Sequence, residues 1–195
     1  MNRKLFFDKV RKSIFNGKLS APQVTNIEII LDTWWRLLKN PDHRWIANSL
    51  AQIYHETGSR MEPVRETFAN SDVVVKRRLE RAWVTGQLPW VKEPYWREGW
   101  YGRGYVQITH KENYSKMQTR TGYLFLDNPE LMLEPIISAE VAVIGMCEGL
   151  FTGKKLSDYF SESIDLPEDS RRIINGKDGN DKRIANLHHR FLQAF

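Results

Sequence analysis

Apolar side chains recur at helical intervals near the start of the chain. Phe6, Val10 and Ile14 share one face of a predicted helix over residues 3–15. A second apolar stripe begins after Pro22 and continues for about four turns. Its members are Val24, Ile27, Leu31, Trp34, Trp35 and Leu38. The pattern therefore predicts two amphipathic helices in the first forty residues.

A third helix should end at an acidic residue. Ile46, Leu50 and Ile53 continue the helical spacing, and Asp42 stands where an N-terminal cap is expected. Glu56 then falls in the last turn of this helix, because Gly58 follows as a stop. We expect the Glu56 carboxyl to be half buried and to face a groove.

The middle of the chain alternates between one helix and a long loop. A helix is predicted from residues 70–72, which offer capping groups, to about residue 83. Prolines and glycines make residues 87–105 a loop, although this loop is rich in aromatic side chains. The only plausible strand is a short one over residues 105–108, where Tyr, Val and Ile alternate with other residues.

The last third of the chain is again helical. Residues 136–150 are hydrophobic on nearly every side, which predicts a central buried helix. Two shorter helices are expected near 155–160 and 168–175, and a last one begins at Asn180. The predicted fold class is therefore mainly α, with at most a short β-hairpin.

Length and composition favour one soluble globular domain. The 195 residues suffice for a single domain, which we place over residues 1–195, and no apolar run is long enough to span a bilayer. The N-terminus does not have the pattern of a secretory signal, and Cys147 is the single cysteine. We therefore expect a reducing, cytoplasmic compartment and a monomer without a cofactor.

The charge balance indicates an anionic partner. The net charge is +5 and the isoelectric point is near 9.3, which suits nucleic acid, lipid phosphates or an acidic wall polymer. Charge alone does not choose between them. The densest basic run, residues 76–78 with Arg81, reads best as the solvated face of a helix.

Two acidic residues carry the most informative chemistry. Glu66 follows Glu56 by ten residues, beyond a loop marked by Pro63. Cleavage of a glycosidic bond needs one acid that delivers a proton and one ionised acid that activates water. Burial, together with the charge of Glu66, should raise the pKa of Glu56. An ion pair between Glu66 and Arg65 or Arg103 is the structural alternative.

Two other chemistries are excluded by spacing. The stretch from Gly102 to Thr109 lacks the glycine and lysine pattern of a phosphate loop, so we do not expect nucleotide binding. We also expect no nucleic-acid partner. A zinc protease motif beginning at His55 would need a second histidine at position 59, which is Ser59. We therefore predict no metal site. His55 should orient neighbouring groups by hydrogen bonds or serve as a buried structural residue.

Several short segments together resemble glycoside hydrolase family 19, the chitinases of plants and bacteria and the related phage endolysins. The likeness is closest to the endolysin branch. The segments are HETG at 55–58, PVRE at 63–66, YGRGYVQIT at 101–109 and NY at 113–114. The resemblance implies a lysozyme-like fold with two lobes and a substrate cleft, and an inverting hydrolysis.

The resemblance also implies roles for individual residues. Glu56 matches the general acid, and Glu66 matches the base that activates water, with Glu62 as the rival for the base. Thr109 should help to position the water. The implied substrate-binding residues are His55, Tyr101, Arg103, Gln107, Asn113 and Asn175. For Trp90, Trp96 and Trp100, packing within a lobe and stacking on sugars are equally compatible with the sequence.

The chain departs from the family pattern after Asn175. Gly179 stands where some members carry an acidic residue, and Leu187 stands where a cleft arginine is expected, with Arg183 as the available substitute. The sequence therefore does not predict a charge network that joins a further carboxylate to the two glutamates.

We interpret the chain as an endolysin that hydrolyses β-1,4 bonds of peptidoglycan. It should have no separate wall-binding module and no stable insertion in the membrane, and a holin should give it access to the wall. A chitinase on the same scaffold, a lytic transglycosylase and an inactive wall-binding protein are the alternatives.

Overall fold

The structure is a computed structural model that describes residues 1–176 and 178–195. Two compact units make up this part of the chain. Unit 1 contains Met1–Glu62 and Ala139–Phe195, and unit 2 contains Pro63–Ser138. The prediction of a mainly helical fold is confirmed, because the described residues contain seven α-helices and a single sheet of two short strands.

Unit 1 is built from four complete helices and most of a fifth. These are α1 Arg3–Ser13, α2 Ala21–Leu37, α3 His43–Glu56, α7 Asp181–Leu192 and the part of α6 Pro135–Glu148 that begins at Ala139. The apolar stripes predicted for α1 and α2 are buried, with Phe6, Val10, Ile27 and Trp34 fully shielded from solvent. Helix α3 packs along α7, which confirms the helix predicted from Asn180.

Unit 2 has two helices of its own and the small sheet. Its helices are α4 Asp72–Val84 and α5 Lys111–Thr121, and its strands are β1 Val64–Arg65 and β2 Arg103–Gly104. The strands pair antiparallel, with Val64 opposite Gly104. Short 3₁₀ helices occur at Glu66–Phe68 and Pro129–Leu133 in this unit, and at Leu156–Asp158 and Asp169–Ile173 in unit 1.

The strand predicted over residues 105–108 is wrong. Gln107 has a φ of 53°, so an extended chain cannot run through it. The chain instead turns back, and Ile108 forms an isolated bridge with Arg103. Tyr105, Val106 and Ile108 are all buried. Their apolar character therefore reflects core packing, and the pairing strand lies two residues earlier.

No helix of the described residues has the length and apolar character needed to cross a membrane.

A buried histidine on α7 makes the stability of unit 1 sensitive to acid. His188 is fully buried and stacks on Phe160 with ring centroids 5.0 Å apart. Neither ring nitrogen has a hydrogen-bond partner among the described residues. Burial, assisted by the neighbouring His189, lowers the pKa of His188 from 6.5 to about 4. The ring is therefore neutral in the folded protein at pH 7.

We expect His188→Phe to reduce acid sensitivity. The unfolded chain binds a proton at His188 near pH 6.5, before the folded protein does near pH 4, so unfolding is favoured as pH falls through this window. The wild type should lose about 3 kcal/mol of stability there. Urea unfolding at pH 7.5 and pH 4.5 checks this. Equal losses in the wild type and the variant would contradict the assignment to His188.

Candidate active site

Glu56 is the last residue of α3, as the sequence predicts. The Asp42 side chain caps the start of the helix by accepting the Arg44 N–H. At the other end, the Thr57 hydroxyl donates to the Ile53 carbonyl, which closes the final turn. The Glu56 side chain is 15% exposed. The helix therefore presents a largely buried carboxylate with a small accessible fraction.

An arginine that the sequence analysis missed holds this carboxylate. Nη1 of Arg171 donates to Glu56 Oε1 at 2.6 Å and to Gln52 Oε1 at 2.9 Å. The same guanidinium donates to Asp178 Oδ2 at 2.7 and 3.0 Å. Arg171 is only 1% exposed. One buried cation thus joins two carboxylates through charge-assisted hydrogen bonds.

The network corrects the expectation drawn from Gly179 and Leu187. An acidic residue is present after all, at Asp178, one position before the glycine. Burial opposes ionisation of Asp178, but its hydrogen bonds with Arg171 and the Asn180 N–H lower its pKa to about 2. Arg171 lies four residues before Asn175, and Asp178 lies three residues after it. A search for charges around that segment could have found both residues.

His55 does not form the hydrogen bonds that were predicted for it. Its Nδ1 is buried without a partner in the described part of the chain. Burial, followed by the charge of Arg171, lowers the pKa of His55. The imidazole beside Glu56 is therefore neutral at pH 7.

Glu66 is held in unit 2 by neutral donors. The Tyr95 hydroxyl donates to Oε1 at 2.8 Å, and the Gly102 N–H donates to Oε2 at 2.7 Å. The Glu66 N–H in turn donates to the Gly102 carbonyl at 2.7 Å. Burial, and then the charge of Glu66, raise the pKa of Tyr95, so the phenol remains a donor. This arrangement suits an ionised acid with a fixed orientation.

The alternative of an ion pair at Glu66 is wrong. Arg65 binds Glu130, and it also lies 3.2 Å from Asp72. Arg103 donates to Glu130 at 2.7 Å. No cation lies within 4.0 Å of the Glu66 carboxylate among the described residues. Both arginines are used elsewhere, which leaves Glu66 with neutral partners.

Gly102 and Gln107 shape the surroundings of Glu66. A Cβ on Gly102 would lie 2.8 Å from Gln107 Oε1 and 3.4 Å from Glu66 Oε2. A side chain at position 102 would therefore displace the Gln107 amide from its present place. Nε2 of Gln107 donates to the carbonyls of Val64 and Gly104 at 2.8 and 3.1 Å. Gln107 thus lies beside the predicted base, as expected of a residue on the floor of a cleft.

Thr109 and Asn113 lie at the start of α5. Asn113 Nδ2 donates to the Thr109 carbonyl at 2.9 Å, so this amide supports the loop backbone. The Thr109 hydroxyl makes no hydrogen bond within the described residues, and Thr109 is partly exposed. In unit 1, the exposed Asn175 accepts the Gly176 N–H through Oδ1.

Tyr101 and Arg103 do not contact the solvent, which contradicts their predicted role in sugar binding. Tyr101 is fully buried, and its hydroxyl donates to Asp72. Arg103 is 1% exposed and lies 3.7 Å above the Tyr101 ring. Its Nη1 also donates to the Tyr114 hydroxyl at 3.0 Å. Asp72, Glu130 and Tyr114 bind the polar groups of these two buried side chains, so Tyr101 and Arg103 are structural.

We expect Arg103→Leu to destabilise unit 2 strongly. The variant removes the cation that binds Glu130 and the donor to Tyr114, and it leaves the face of Tyr101 without its guanidinium. Glu130 keeps Arg65 as a partner, but the lost hydrogen bonds of the buried guanidinium should together cost about 3 kcal/mol. Chemical unfolding measures the change, and Arg97→Leu, which removes an exposed pair with Glu80, is the control. Equal losses in the two variants would contradict a structural role for Arg103.

Backbone strain concentrates near the predicted catalytic residues. Seven non-glycine residues of the described chain have positive φ, and all of them except Asn16 lie within five residues of Glu56, Glu66 or Thr109 in the sequence. The other six are Ser59, Met61, Thr67, Phe68, Gln107 and His110. Such conformations are costly and persist where the surroundings enforce them, often at functional sites.

The structure therefore groups the predicted residues into two sets. Unit 1 holds Glu56 with His55, Arg171 and Asp178, and unit 2 holds Glu66 with its two hydrogen-bond donors, Tyr95 and Gly102. No three His, Cys, Asp or Glu side chains of the described residues form a cluster that could hold a metal ion.

Comparison with models of known protein families gave a match. A family model described as chitinase class I matches residues 39–148, which is more than half of the chain. The matched range includes Glu56, Glu66, Gln107, Thr109 and Asn113. A search of curated protein sequences gave no significant match.

Proposed function

The chain belongs to the chitinase class I family, glycoside hydrolase family 19, and from this premise we propose that it is an endolysin that hydrolyses peptidoglycan. It is a glycoside hydrolase. The proposal adds the substrate, the bond and the biological role. We assign the β-1,4 linkage between amino sugars as the bond cleaved, with inversion at the reacting carbon.

The observation that carries the proposal is the contrast between the two carboxylates. Glu56 shares a buried guanidinium with Asp178, whereas Glu66 accepts hydrogen bonds from the neutral donors Tyr95 and Gly102. Different environments are what an acid and a base of the same residue type require. Glu56 acts as the acid that protonates the leaving oxygen. Glu66 acts as the base that activates water.

The ion pair with Arg171 is compatible with an acid role for Glu56. If Glu56 takes up a proton, the guanidinium still binds Asp178 at 2.7 Å and Gln52 at 2.9 Å. Arg171 is then not left as a buried cation without a partner, which would strongly destabilise the folded protein. Asp178 and Gln52 therefore keep Arg171 hydrogen-bonded when Glu56 exchanges a proton.

The charge of the protein supports peptidoglycan as the substrate. The net charge is +5, and peptidoglycan carries carboxylates, whereas chitin is neutral. A cationic enzyme is attracted to an anionic polymer over a long range. A true chitinase is the second candidate, because the matching family is described by that activity.

Mass spectrometry of the products tests the proposal. Purified sacculi and chitin oligomers are digested separately, and the released fragments are identified. We expect muropeptides with ordinary reducing ends. Cleavage of chitin oligomers alone would establish a chitinase. Anhydro-muramic ends would indicate a lytic transglycosylase, which needs only one carboxylate. Binding of sacculi without any product would indicate an inactive wall-binding protein.

We place the enzyme in the host cytoplasm until lysis, with a holin opening the membrane. The single cysteine, Cys147, supports a reducing compartment. Expression of the protein in bacteria should leave the culture turbid until the membrane is permeabilised, when turbidity should fall within minutes. Lysis without permeabilisation would contradict this part of the proposal.

A further inference from the structure

Unit 2 contains a large open pocket that none of the assigned roles explains. Its volume is about 810 Å³, which is within the range of small-molecule sites. The loop of residues 90–100 forms most of the wall, and His110, Lys111 and Glu112 at the start of α5 complete it. All of these residues belong to unit 2.

The pocket presents aromatic surface to the solvent. Trp90 is 72% exposed and offers a large apolar face to the solvent. Trp100 packs against Tyr114, with ring centroids 5.3 Å apart, and Tyr95 lies 4.5 Å from His110. The inner walls are therefore braced by other rings, and the tryptophan at the rim has no comparable cover.

Charged side chains of both signs line the same pocket. Lys92 and Lys111 are positive, and Glu93, Glu98 and Glu112 are negative, and all five are exposed. None of the five makes an ion pair or a side-chain hydrogen bond with the described residues. The arginine of this pocket behaves differently.

Arg97 also lines the pocket, but its guanidinium is paired with Glu80. It donates two hydrogen bonds to Glu80, at 2.6 and 3.0 Å. Lys111 instead lies over the Trp100 ring, with Nζ 5.8 Å from the centroid. The contrast shows that the pocket keeps charges of both signs available for a ligand.

One wall residue of the pocket contacts the predicted base. Tyr95 is part of its wall, and the hydroxyl of the same residue donates to Glu66 Oε1 at 2.8 Å. His110, another wall residue, follows Thr109 directly and has a φ of 64°. Two wall residues of the pocket are therefore connected to the residues assigned to water activation, Tyr95 by its hydrogen bond with Glu66 and His110 by its peptide bond with Thr109.

We propose that this pocket binds the peptide stem of peptidoglycan beside the bond that is cleaved. The inference rests on the proposed function. Peptide stems carry free carboxylates and amino groups, which complement the lysines and glutamates of the pocket. Their aliphatic parts can pack on Trp90 and Trp100. Chitin has no such stem, so the pocket provides selectivity between the two polymers.

The charges distinguish this ligand from a bare sugar chain. An N-acetylated sugar is neutral, and sites for neutral sugars combine aromatic faces with amide groups, not with five unpaired charges of both signs. A purely anionic polymer would not use Glu93, Glu98 and Glu112. A ligand with charges of both signs can interact with the lysines and with the glutamates of the pocket.

The test compares two substrates with the same glycan. One is peptidoglycan with its stems, and the other is peptide-free glycan released by an amidase. For Trp90→Ala and for the double variant Lys92→Ala/Lys111→Ala, we expect the ratio of kcat/KM on stem-bearing to peptide-free substrate to fall about tenfold. The change should appear mainly in KM.

Two controls are matched to these variants. Leu124→Ala removes another exposed apolar side chain of unit 2, and Arg77→Ala/Arg81→Ala removes two positive charges from α4. Neither control should change the ratio. An unchanged ratio in the Trp90 and lysine variants would overturn the proposal, whether both substrates are affected equally or not at all. Cleavage of chitin oligomers with no action on either peptidoglycan substrate would instead overturn the proposed function.

Discussion

Replacement of Glu56 by glutamine should lower kcat on sacculi by about 10⁴-fold, because the leaving oxygen loses its proton donor. Glutamine has the shape of the protonated acid and keeps an oxygen that can accept from Arg171 Nη1, which now lies 2.6 Å from Oε1. The guanidinium also keeps Asp178. The variant should therefore fold normally, and turbidity loss of purified sacculi measures its activity.

Binding separates a catalytic role of Glu56 from a structural one. Glu56→Gln should still sediment with sacculi, and its unfolding midpoint should stay near that of the wild type. Glu28→Gln is a suitable control, since Glu28 pairs with Arg3 on the outer face of α2. Lysis by Glu56→Gln at the rate of the wild type would remove Glu56 from the mechanism.

The helices could be predicted because their signals are local. The start of α3 follows from the cap at Asp42, and its end at Glu56 follows from Gly58, which has a φ of 57°. The strand over residues 105–108 could not be judged in the same way. Its alternation is genuine, but the left-handed conformation of Gln107 depends on contacts with Val64 and Gly104. The conformation of Gln107 therefore depends on the folded chain, whereas the helix signals do not.

The candidate site shows the same limit more strongly. Glu56 and Glu66 were found from short motifs, yet the groups that orient them are distant in sequence. Arg171 is 115 residues from Glu56, and Tyr95 is 29 residues from Glu66. No periodicity links such pairs. A motif therefore locates the carboxylate, whereas the fold selects its partners.

The predictions that Tyr101 and Arg103 bind sugar fail for a related reason. The two residues stand inside the most informative motif, and their residue types suit sugar binding, but both are buried in unit 2 and bind Asp72 and Glu130. Membership of a motif does not separate residues that contact the substrate from residues that support them. Trp96 is likewise fully buried, and Trp90 is the exposed tryptophan. The exposed fraction of each side chain, which only the structure gives, shows whether a ligand can reach it.

Glu66→Gln should lower kcat by about 10³-fold, because glutamine cannot accept a proton from the attacking water. Its amide can still accept the Gly102 N–H or the Tyr95 hydroxyl, which now lie 2.7 and 2.8 Å from the carboxylate oxygens. The loop should therefore keep its shape. Steady-state rates on soluble glycan strands measure the loss, and a small anion such as azide, supplied as an external nucleophile, should restore part of it.

Glu62→Gln is the matched variant, since Glu62 is the rival for the base and lies only four residues away. Glu62 is partly exposed, and its carboxylate accepts no hydrogen bond from the described residues, so its orientation is not fixed as that of Glu66 is. We expect less than a twofold change in kcat, which is the size of an ordinary surface substitution. A large loss in Glu62→Gln with normal rates in Glu66→Gln would transfer the role of the base to Glu62. Equal large losses would mean that both acids contribute, and the single-base mechanism would then be wrong.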